Sequence, residues 1–328
     1  RKTEFSLFTH LQSDRLFSSL SSSFQLSIRN IYSFENEKSD PLNLVGFIFM
    51  LPLLTIRLFV VLFFLAIIAN THSSMAATLK NAVLEAWAKG KPATNAWLLI
   101  NSPVVAEGVA SLAFDSVTID LQHGTSTGAD VVSLFQAISG QGSTPFVRVQ
   151  SNDLGQINQV LDAGARGVIC PLINNRQECE DFVKACLYPP LGLRSFGPVR
   201  AQFTDPDYFA KANRGVVKLA MIETKKGLDN LEEILDVEHL DGVFIGPNDL
   251  AIGLGIAPQN DPSDPIVVEA IEHIRQIAAS KSKKAGIFCG SGSIAKRMMD
   301  QGFDLVCPGA DLSHLLKKFQ EQLDDLDT

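Results

Sequence analysis

The chain has 328 residues, of which 46% are apolar, 20% charged and 8% aromatic, and these values exclude a disordered, collagen-like or fibrous protein. With 28 Lys and Arg residues against 36 Asp and Glu residues, the net charge is −8, which argues against a nucleic-acid-binding protein. The five cysteines form no CxxC pair, so we expect free thiols in a cytoplasmic protein rather than a disulfide framework.

The first 74 residues differ in composition from the rest, with one of the 23 glycines and 10 of the 21 phenylalanines. Residues 44–69 form a nearly continuous apolar run that is long enough to span a bilayer, although Arg57 near its middle opposes insertion. There are two alternatives: the run is part of a secretory signal, or the protein begins at Met75 without the upstream sequence. We predict a hydrophobic extension over residues 1–74, a membrane tether only if the apolar run is retained, and a separate domain over residues 75–328.

From Met75 onwards, an initial helix over residues 77–90 is followed by short apolar runs that alternate with stretches of helical periodicity. The predicted strands are residues 96–100, 117–121, 146–149, 167–171, 217–222, 242–245, 285–289 and 305–307. The predicted helices are residues 104–112, 129–138, 154–163, 177–186, 228–235, 265–280, 294–301 and 312–326. Strands that alternate with helices indicate a parallel sheet, and eight such units in about 250 residues predict a (β/α)8 TIM barrel.

Two local features refine this prediction. Asp153 and Ser293 stand where helix N-caps are expected. The connection over residues 187–215 is unusually long, and loops of this length in compact domains are more often functional than not. Arg194 and Arg200 in this loop either meet an acidic substrate or lie in solvent.

Polar residues follow several predicted strands at their carboxyl ends, where the active site of a parallel barrel lies. Glu223 and Asp249 follow neighbouring strands, and two hard carboxylates completed by water and a chelating substrate suit Mg²⁺ or Mn²⁺. The alternative is two unrelated surface carboxylates. No lysine ends a predicted strand, which argues against a Schiff-base mechanism.

Two further residues at this rim are candidates for catalysis. His123 follows Asp120 by three residues, and an imidazole held by a carboxylate is a general base near neutral pH; the alternative is a structural rim histidine. Arg148 interrupts an apolar strand, and a buried guanidinium needs an anionic partner. That partner is a substrate carboxylate, enolate or phosphate, or alternatively Asp120 or Glu223.

Six segments follow one another in a distinctive order: residues 119–124 (IDLQHG), the strand that contains Arg148, and residues 161–171 (LDAGARGVICP), 188–195 (YPPLGLRS), 222–224 (IET) and 242–250 (GVFIGPNDL). Taken together, these motifs resemble the HpcH/HpaI family of metal-dependent 2-oxo acid aldolases, over about residues 77–325. The resemblance implies a barrel of the phosphoenolpyruvate/pyruvate type and reversible cleavage of a 4-hydroxy-2-oxo acid to pyruvate and an aldehyde.

The resemblance also implies roles for individual residues. Glu223 and Asp249 would bind the divalent ion, Mg²⁺, Mn²⁺ or Co²⁺, which in turn chelates the 2-oxo acid. His123, oriented by Asp120, would move protons through a water, and Arg148 would stabilise the developing enolate.

Substrate binding and assembly are implied in the same way. Backbone groups at Pro171 and Leu172 would hold the substrate carboxylate, and Gly246 and Asn248 would line the site. Small 2-oxo acids and aldehydes would be the partners, with no nucleic acid. The protein would be a homo-oligomer, a trimer or hexamer, with its last helix exchanged between subunits.

The sequence departs from the family pattern at two positions. Gln122 stands where many members have Glu, and Met221 stands where many have Gln. A methionine cannot make the hydrogen bonds that a glutamine amide makes, so one contact near the metal is lost. The resemblance therefore does not determine the substrate range. Two rival hypotheses remain: a related barrel lyase for acyl-CoA or phosphoenolpyruvate-type substrates, and a non-catalytic oxo-acid-binding protein.

Overall fold

The computed structural model describes residues 79–259 and 261–326. The predictions made for residues 1–74, including the apolar run 44–69, lie outside the described residues. Within the described ranges, no helix has the length and apolar character needed to cross a membrane.

Eight parallel strands form a closed barrel in chain order, because the eighth strand pairs with the first as well as with the seventh. The (β/α)8 prediction is therefore confirmed. The strands are β1 (Ala93–Leu98), β2 (Ser116–Asp120), β3 (Thr144–Arg148), β4 (Gly167–Cys170), β5 (Val217–Ile222), β6 (Gly242–Ile245), β7 (Lys284–Phe288) and β8 (Leu305–Cys307).

Thirteen helices surround or extend the barrel in the described part of the chain. They are α1 (Ala82–Ala88), α2 (Pro103–Ala110), α3 (Val131–Gly140), α4 (Leu154–Ala163), α5 (Arg176–Cys186), α6 (Ala201–Thr204), α7 (Tyr208–Gly215), α8 (Lys225–Asp229), α9 (Leu231–Leu235), α10 (Pro247–Gly253), α11 (Pro265–Ser280), α12 (Gly292–Asp300) and α13 (Asp311–Leu326).

Some predicted elements need correction. The helix predicted over 228–235 is two short helices, α8 and α9, which meet at Asn230, where the backbone leaves the helical region. The segment after β6 forms the helix α10, where no helix was predicted, because Pro247 at its first turn has the fixed φ that starts a helix. Asp153 does cap α4, but the cap of α12 is Ser291 and not Ser293.

The long segment 187–215 contains α6 and α7 and connects the end of α5 to the start of β5. It therefore lies at the amino end of the barrel, opposite the expected active site. Arg194 is 1% exposed, and its guanidinium binds Asp162 at 2.7 Å and the Tyr208 hydroxyl at 2.9 Å. Arg194 thus forms a structural ion pair with Asp162. The predictions that it contacts an acidic substrate or lies in solvent were both wrong.

Close strand packing inside the barrel depends on glycine opposite phenylalanine. Phe146 pairs with Gly167 on the next strand, and a Cβ at Gly167 would lie 2.4 Å from the Phe146 ring. Phe244 pairs with Gly286 in the same way, with a corresponding distance of 2.7 Å. A large inward ring fits in the narrow barrel because its neighbour has no side chain.

The glycine requirement can be tested on Gly242, where a Cβ would lie 2.1 Å from the backbone oxygen of Lys284. We expect Gly242→Ala to lower the free energy of unfolding by at least about 2 kcal/mol, because the neighbouring strand cannot move away. Gly108→Ala in the exposed part of α2 is the control, since nothing lies within 4 Å of its Cβ. It should raise stability by roughly 0.5–1 kcal/mol. Denaturant unfolding measures both, and equal effects would contradict the prediction.

Candidate active site

A cavity of about 220 Å³ opens at the carboxyl ends of the strands. It brings together most of the site residues predicted from the sequence, including those on β2, β3 and the start of α10. The predicted residues that line it are Asp120, His123, Arg148, Gly246, Asn248 and Asp249.

The centre of the cavity contains a buried ion pair between neighbouring strands. Asp120 and Arg148 are paired in the register of β2 and β3. The Nε atom of Arg148 donates to Oδ1 of Asp120 at 2.8 Å, and its Nη2 donates to Oδ2. The Trp97 indole also donates to Oδ2 at 3.2 Å, and its ring lies 5.0 Å from the guanidinium carbon. The guanidinium is therefore fixed in one orientation before substrate binds.

This ion pair also determines the charge of Asp120. Burial alone would raise the pKa of the carboxyl group, but the hydrogen bonds and positive charge of Arg148 outweigh it, so the pKa lies below its ordinary value. Asp120 is consequently ionised, and the salt bridge that the sequence left as an alternative is present. Nη1 of Arg148 makes no hydrogen bond to any described residue, which leaves a donor for a ligand.

The expected contact between Asp120 and the His123 ring is absent among the described residues. Oδ1 of Asp120 instead accepts the backbone N–H groups of Gln122 at 2.9 Å and His123 at 3.2 Å. Both carboxylate oxygens are thus already engaged. The turn closes tightly at Gly124, where a Cβ would lie 2.3 Å from the Asp120 carbonyl oxygen. Asp120 positions the turn that carries His123, while the imidazole itself is exposed at the cavity.

Glu223 follows β5 and is 3% exposed. Its Oε1 accepts the backbone N–H of Leu172 at 2.8 Å, and Leu172 has the left-handed φ of 54° that is uncommon for a side-chain-bearing residue. Its Oε2 lies beside Gly246, where a Cβ would approach it to 2.8 Å. Burial, and then the charge of Asp249, raise the pKa of Glu223, although the Leu172 hydrogen bond opposes this.

The second carboxylate stands in the first turn of α10. Asp249 is exposed, and neither Asp249 nor Glu223 forms an ion pair with any described residue. Beside it, Oδ1 of Asn248 is buried without a hydrogen-bond donor. In the described ranges, no three His, Cys, Asp or Glu side chains cluster as a metal site. The acidic groups that interact here are the two carboxylates of Glu223 and Asp249. Hard oxygen donors with remaining positions for water and substrate fit a divalent cation such as Mg²⁺.

An aromatic wall encloses the cavity, and sequence reasoning missed it. Trp97 stacks on Phe244 at 5.5 Å and contacts Phe288 edge-on at 5.6 Å. Met221 completes this wall. Each aromatic residue lies on a strand with its side chain inside the barrel. The predicted strands could have identified these residues, because alternate positions near the end of a strand point into the barrel.

The fold and the site define a parallel-barrel protein with acidic side chains at the carboxyl ends of its strands and a guanidinium, Arg148, that is fixed by its ion pair. Residues 94–317 match the HpcH/HpaI aldolase/citrate lyase family, and the chain belongs to that family.

Three relatives illustrate the similarity. A hydroxypyruvate/pyruvate aldolase of Rhizorhabdus wittichii is 45% identical over 236 residues, covering 72% of this chain and 94% of the relative. A 4-hydroxy-2-oxo-heptane-1,7-dioate aldolase of Salmonella arizonae is 38% identical over 244 residues, covering 73% and 92%. The crystal structure of a family protein from Burkholderia cenocepacia superposes with a TM-score of 0.68 at 30% identity, covering 73% of this chain and 95% of that protein.

The buried carboxylate predicts a stability effect with a defined pH dependence. Because folding raises the pKa of Glu223, its ionised form is less favourable in the folded protein than in the unfolded chain. This destabilisation is complete above the folded pKa, shrinks as the pH falls through that value, and is absent below the pKa of the unfolded chain. In protein treated with chelator, we expect Glu223→Gln to raise Tm by a few degrees at about pH 8, and the gain to shrink towards about pH 5.

The control for this measurement is Glu232→Gln, which changes an exposed glutamate on α9. It should leave Tm unchanged at both pH values. A gain in Glu223→Gln that does not vary with pH would contradict the electrostatic explanation.

Proposed function

We propose that this protein is a divalent-metal-dependent (class II) aldolase that reversibly cleaves a 4-hydroxy-2-oxo acid to pyruvate and an aldehyde. The observation that carries the proposal is the charge balance of the cavity. Asp120, Asp249 and Arg148 line the cavity, and Glu223 lies behind the lining residue Gly246 and interacts electrostatically with all three. Three carboxylates against one guanidinium leave a formal excess of two negative charges. A divalent cation neutralises that excess.

Glu223 and Asp249 would hold the metal ion, with the carboxamide oxygen of Asn248 close by. When bound, the ion acts as a Lewis acid towards the 2-oxo acid. The donor set suits Mg²⁺ or Mn²⁺, and Co²⁺ is a third candidate. Leu172 holds Glu223 through its backbone N–H, so one oxygen of this carboxylate is fixed and the other is left for the ion.

In the cleavage direction, a base removes the proton from the C4 hydroxyl group. The C3–C4 bond then breaks, C4 becomes the aldehyde carbon, and the electron pair forms the enolate of pyruvate. Nη1 of Arg148 is the donor available for the developing enolate oxygen, and its guanidinium is already oriented by Asp120 and Trp97. Protonation at C3 completes pyruvate, and in the synthetic direction each step runs backwards.

His123 is the proposed base, because its exposed imidazole lines the same cavity as Arg148. Asp120 supports it through the backbone of the turn and not through the ring. Proton transfer by a positioned imidazole contributes about 10²–10⁴-fold to a rate. No observation favours the rival acyl-CoA hypothesis, since the described residues that line the cavity include one guanidinium, Arg148, and no lysine, and so offer no basic patch for the CoA phosphates.

The test is carbon–carbon bond formation by the purified full chain from pyruvate and a series of aldehydes. Treatment with EDTA should lower the rate at least roughly hundredfold, because the charge stabilisation by the ion is worth several kcal/mol. Mg²⁺, Mn²⁺ or Co²⁺ should restore it, and Glu223→Gln should not respond to any of them, whereas Glu232→Gln should respond like the wild type. Inactivation by borohydride with pyruvate would indicate an imine and contradict the proposal.

We also propose that the protein is a homo-oligomer in which α13 contacts a second copy of the chain. The helix has no buried residue in the monomer, although its apolar side chains follow helical spacing on one face. These side chains, 39–81% exposed, are Leu312, Leu315, Leu316, Phe319, Leu323 and Leu326. An apolar stripe of this kind on a terminal helix needs a partner surface.

The oligomer proposal predicts that Leu316→Lys/Phe319→Lys yields monomers by light scattering, because lysine cannot be buried in an apolar contact. The control is Glu321→Lys/Asp324→Lys, which places the same residues on the opposite face of α13. An unchanged assembly in the first variant, or dissociation in both, would contradict a contact through the apolar face.

A further inference from the structure

A second cavity, of about 490 Å³, lies outside the barrel wall between α11 and α12. Its volume is in the range of small-molecule binding sites. The loop before α11 contributes Asp261 and Pro262 to its rim, so it opens on the same end of the barrel as the candidate active site.

The two cavities are adjacent. Pro247, at the start of α10, and Phe288, at the end of β7, line both of them. A molecule that reacts beside Asp249 would therefore reach the second cavity by extending past these two side chains.

The interior of the second cavity is apolar. Five of its side chains are aliphatic or thioether groups from α11, β7 and α12, namely Val268, Ile271, Ile287, Ile294 and Met298. Such a lining binds hydrocarbon and offers no hydrogen bond to a polar chain.

The charged groups at the rim of the second cavity are already paired. Arg297 is paired with Asp261, and Glu272 is paired with Arg275 by bonds of 2.6 and 2.8 Å. Of these groups, Asp261, Glu272 and Arg297 line the cavity. The described residues of the lining therefore offer no unpaired cation to a ligand that ends in a carboxylate, and burying such a charge without a partner is unfavourable.

We propose that this second cavity binds the aldehyde half of the substrate, and that its chemistry selects an uncharged aliphatic aldehyde of several carbons over one that ends in a carboxylate. This inference rests on the proposed aldolase function. The substrate class is then a 4-hydroxy-2-oxo monocarboxylic acid with an aliphatic chain, in contrast to the dioate named for the Salmonella arizonae relative.

The test compares kcat/KM of the metal-loaded full chain for acetaldehyde, hexanal and succinic semialdehyde with pyruvate. The wild type should prefer hexanal to succinic semialdehyde. Val268→Trp fills the cavity from a position that is 45% exposed and should lower the hexanal-to-acetaldehyde ratio at least roughly tenfold. Ile266→Trp, on the same helix at 54% exposure but away from the cavity lining, should leave that ratio unchanged.

A second variant tests the charge argument. Asp261→Asn leaves Arg297 without its carboxylate partner and should raise the succinic semialdehyde-to-acetaldehyde ratio by roughly fivefold. Asp300→Asn breaks the Lys296 ion pair on α12, outside the lining, and should not.

An unchanged hexanal ratio in active Val268→Trp, or a wild-type preference for succinic semialdehyde, would overturn the second cavity as the aldehyde site. Absence of product with every aldehyde would instead contradict the aldolase function, and the inference would fall with it.

Discussion

The candidate site depends on an electrostatic imbalance that the described residues do not resolve. Glu223 is buried and Asp249 stands close enough to raise its pKa, yet neither is paired with a cation of the described chain. Arg148 lies near enough to lower the pKa of Glu223, but both of its bonded nitrogens are committed to Asp120. Uncompensated buried charge costs several kcal/mol, and the raised pKa of Glu223 expresses that cost. A bound cation would offset it.

The barrel determines how precisely these charges are placed. Asp120 and Arg148 stand opposite each other in the register of two strands, so backbone hydrogen bonds fix their separation. Glu223 and Asp249 lie beyond the ends of neighbouring strands, and their orientation comes from a backbone N–H and from a helical turn. Groups held by rigid elements need no reorganisation when charge develops, which is the condition for electrostatic catalysis.

The sequence was sufficient for the architecture because each element carries its own periodicity. The helices over 154–163 and 265–280 were predicted with their observed bounds, and the polar strand ends placed the site residues at one rim. What the sequence could not reveal depends on long-range packing. The unpartnered oxygen of Asn248 and the left-handed Leu172 that holds Glu223 are properties of the assembled rim.

The His123 prediction shows the same limit. Spacing suggested that Asp120 binds the imidazole, but a carboxylate with only two oxygens is already saturated by Arg148, Trp97 and two backbone N–H groups. Proximity in sequence indicates which groups meet, whereas competition between donors decides which of them bond. Here the competing donor is Arg148, which the register of β2 against β3 places opposite Asp120.

The site and its surroundings divide into parts that are constrained differently. The charged groups face the narrow barrel interior, where Gly167 and Gly286 accommodate neighbouring rings and a change in one side chain disturbs several others. The second cavity lies instead between two outer helices and a loop, and the side chain of Val268 on its wall is 45% exposed. Positions between the outer helices can therefore change without moving the carboxylates, whereas positions inside the barrel cannot.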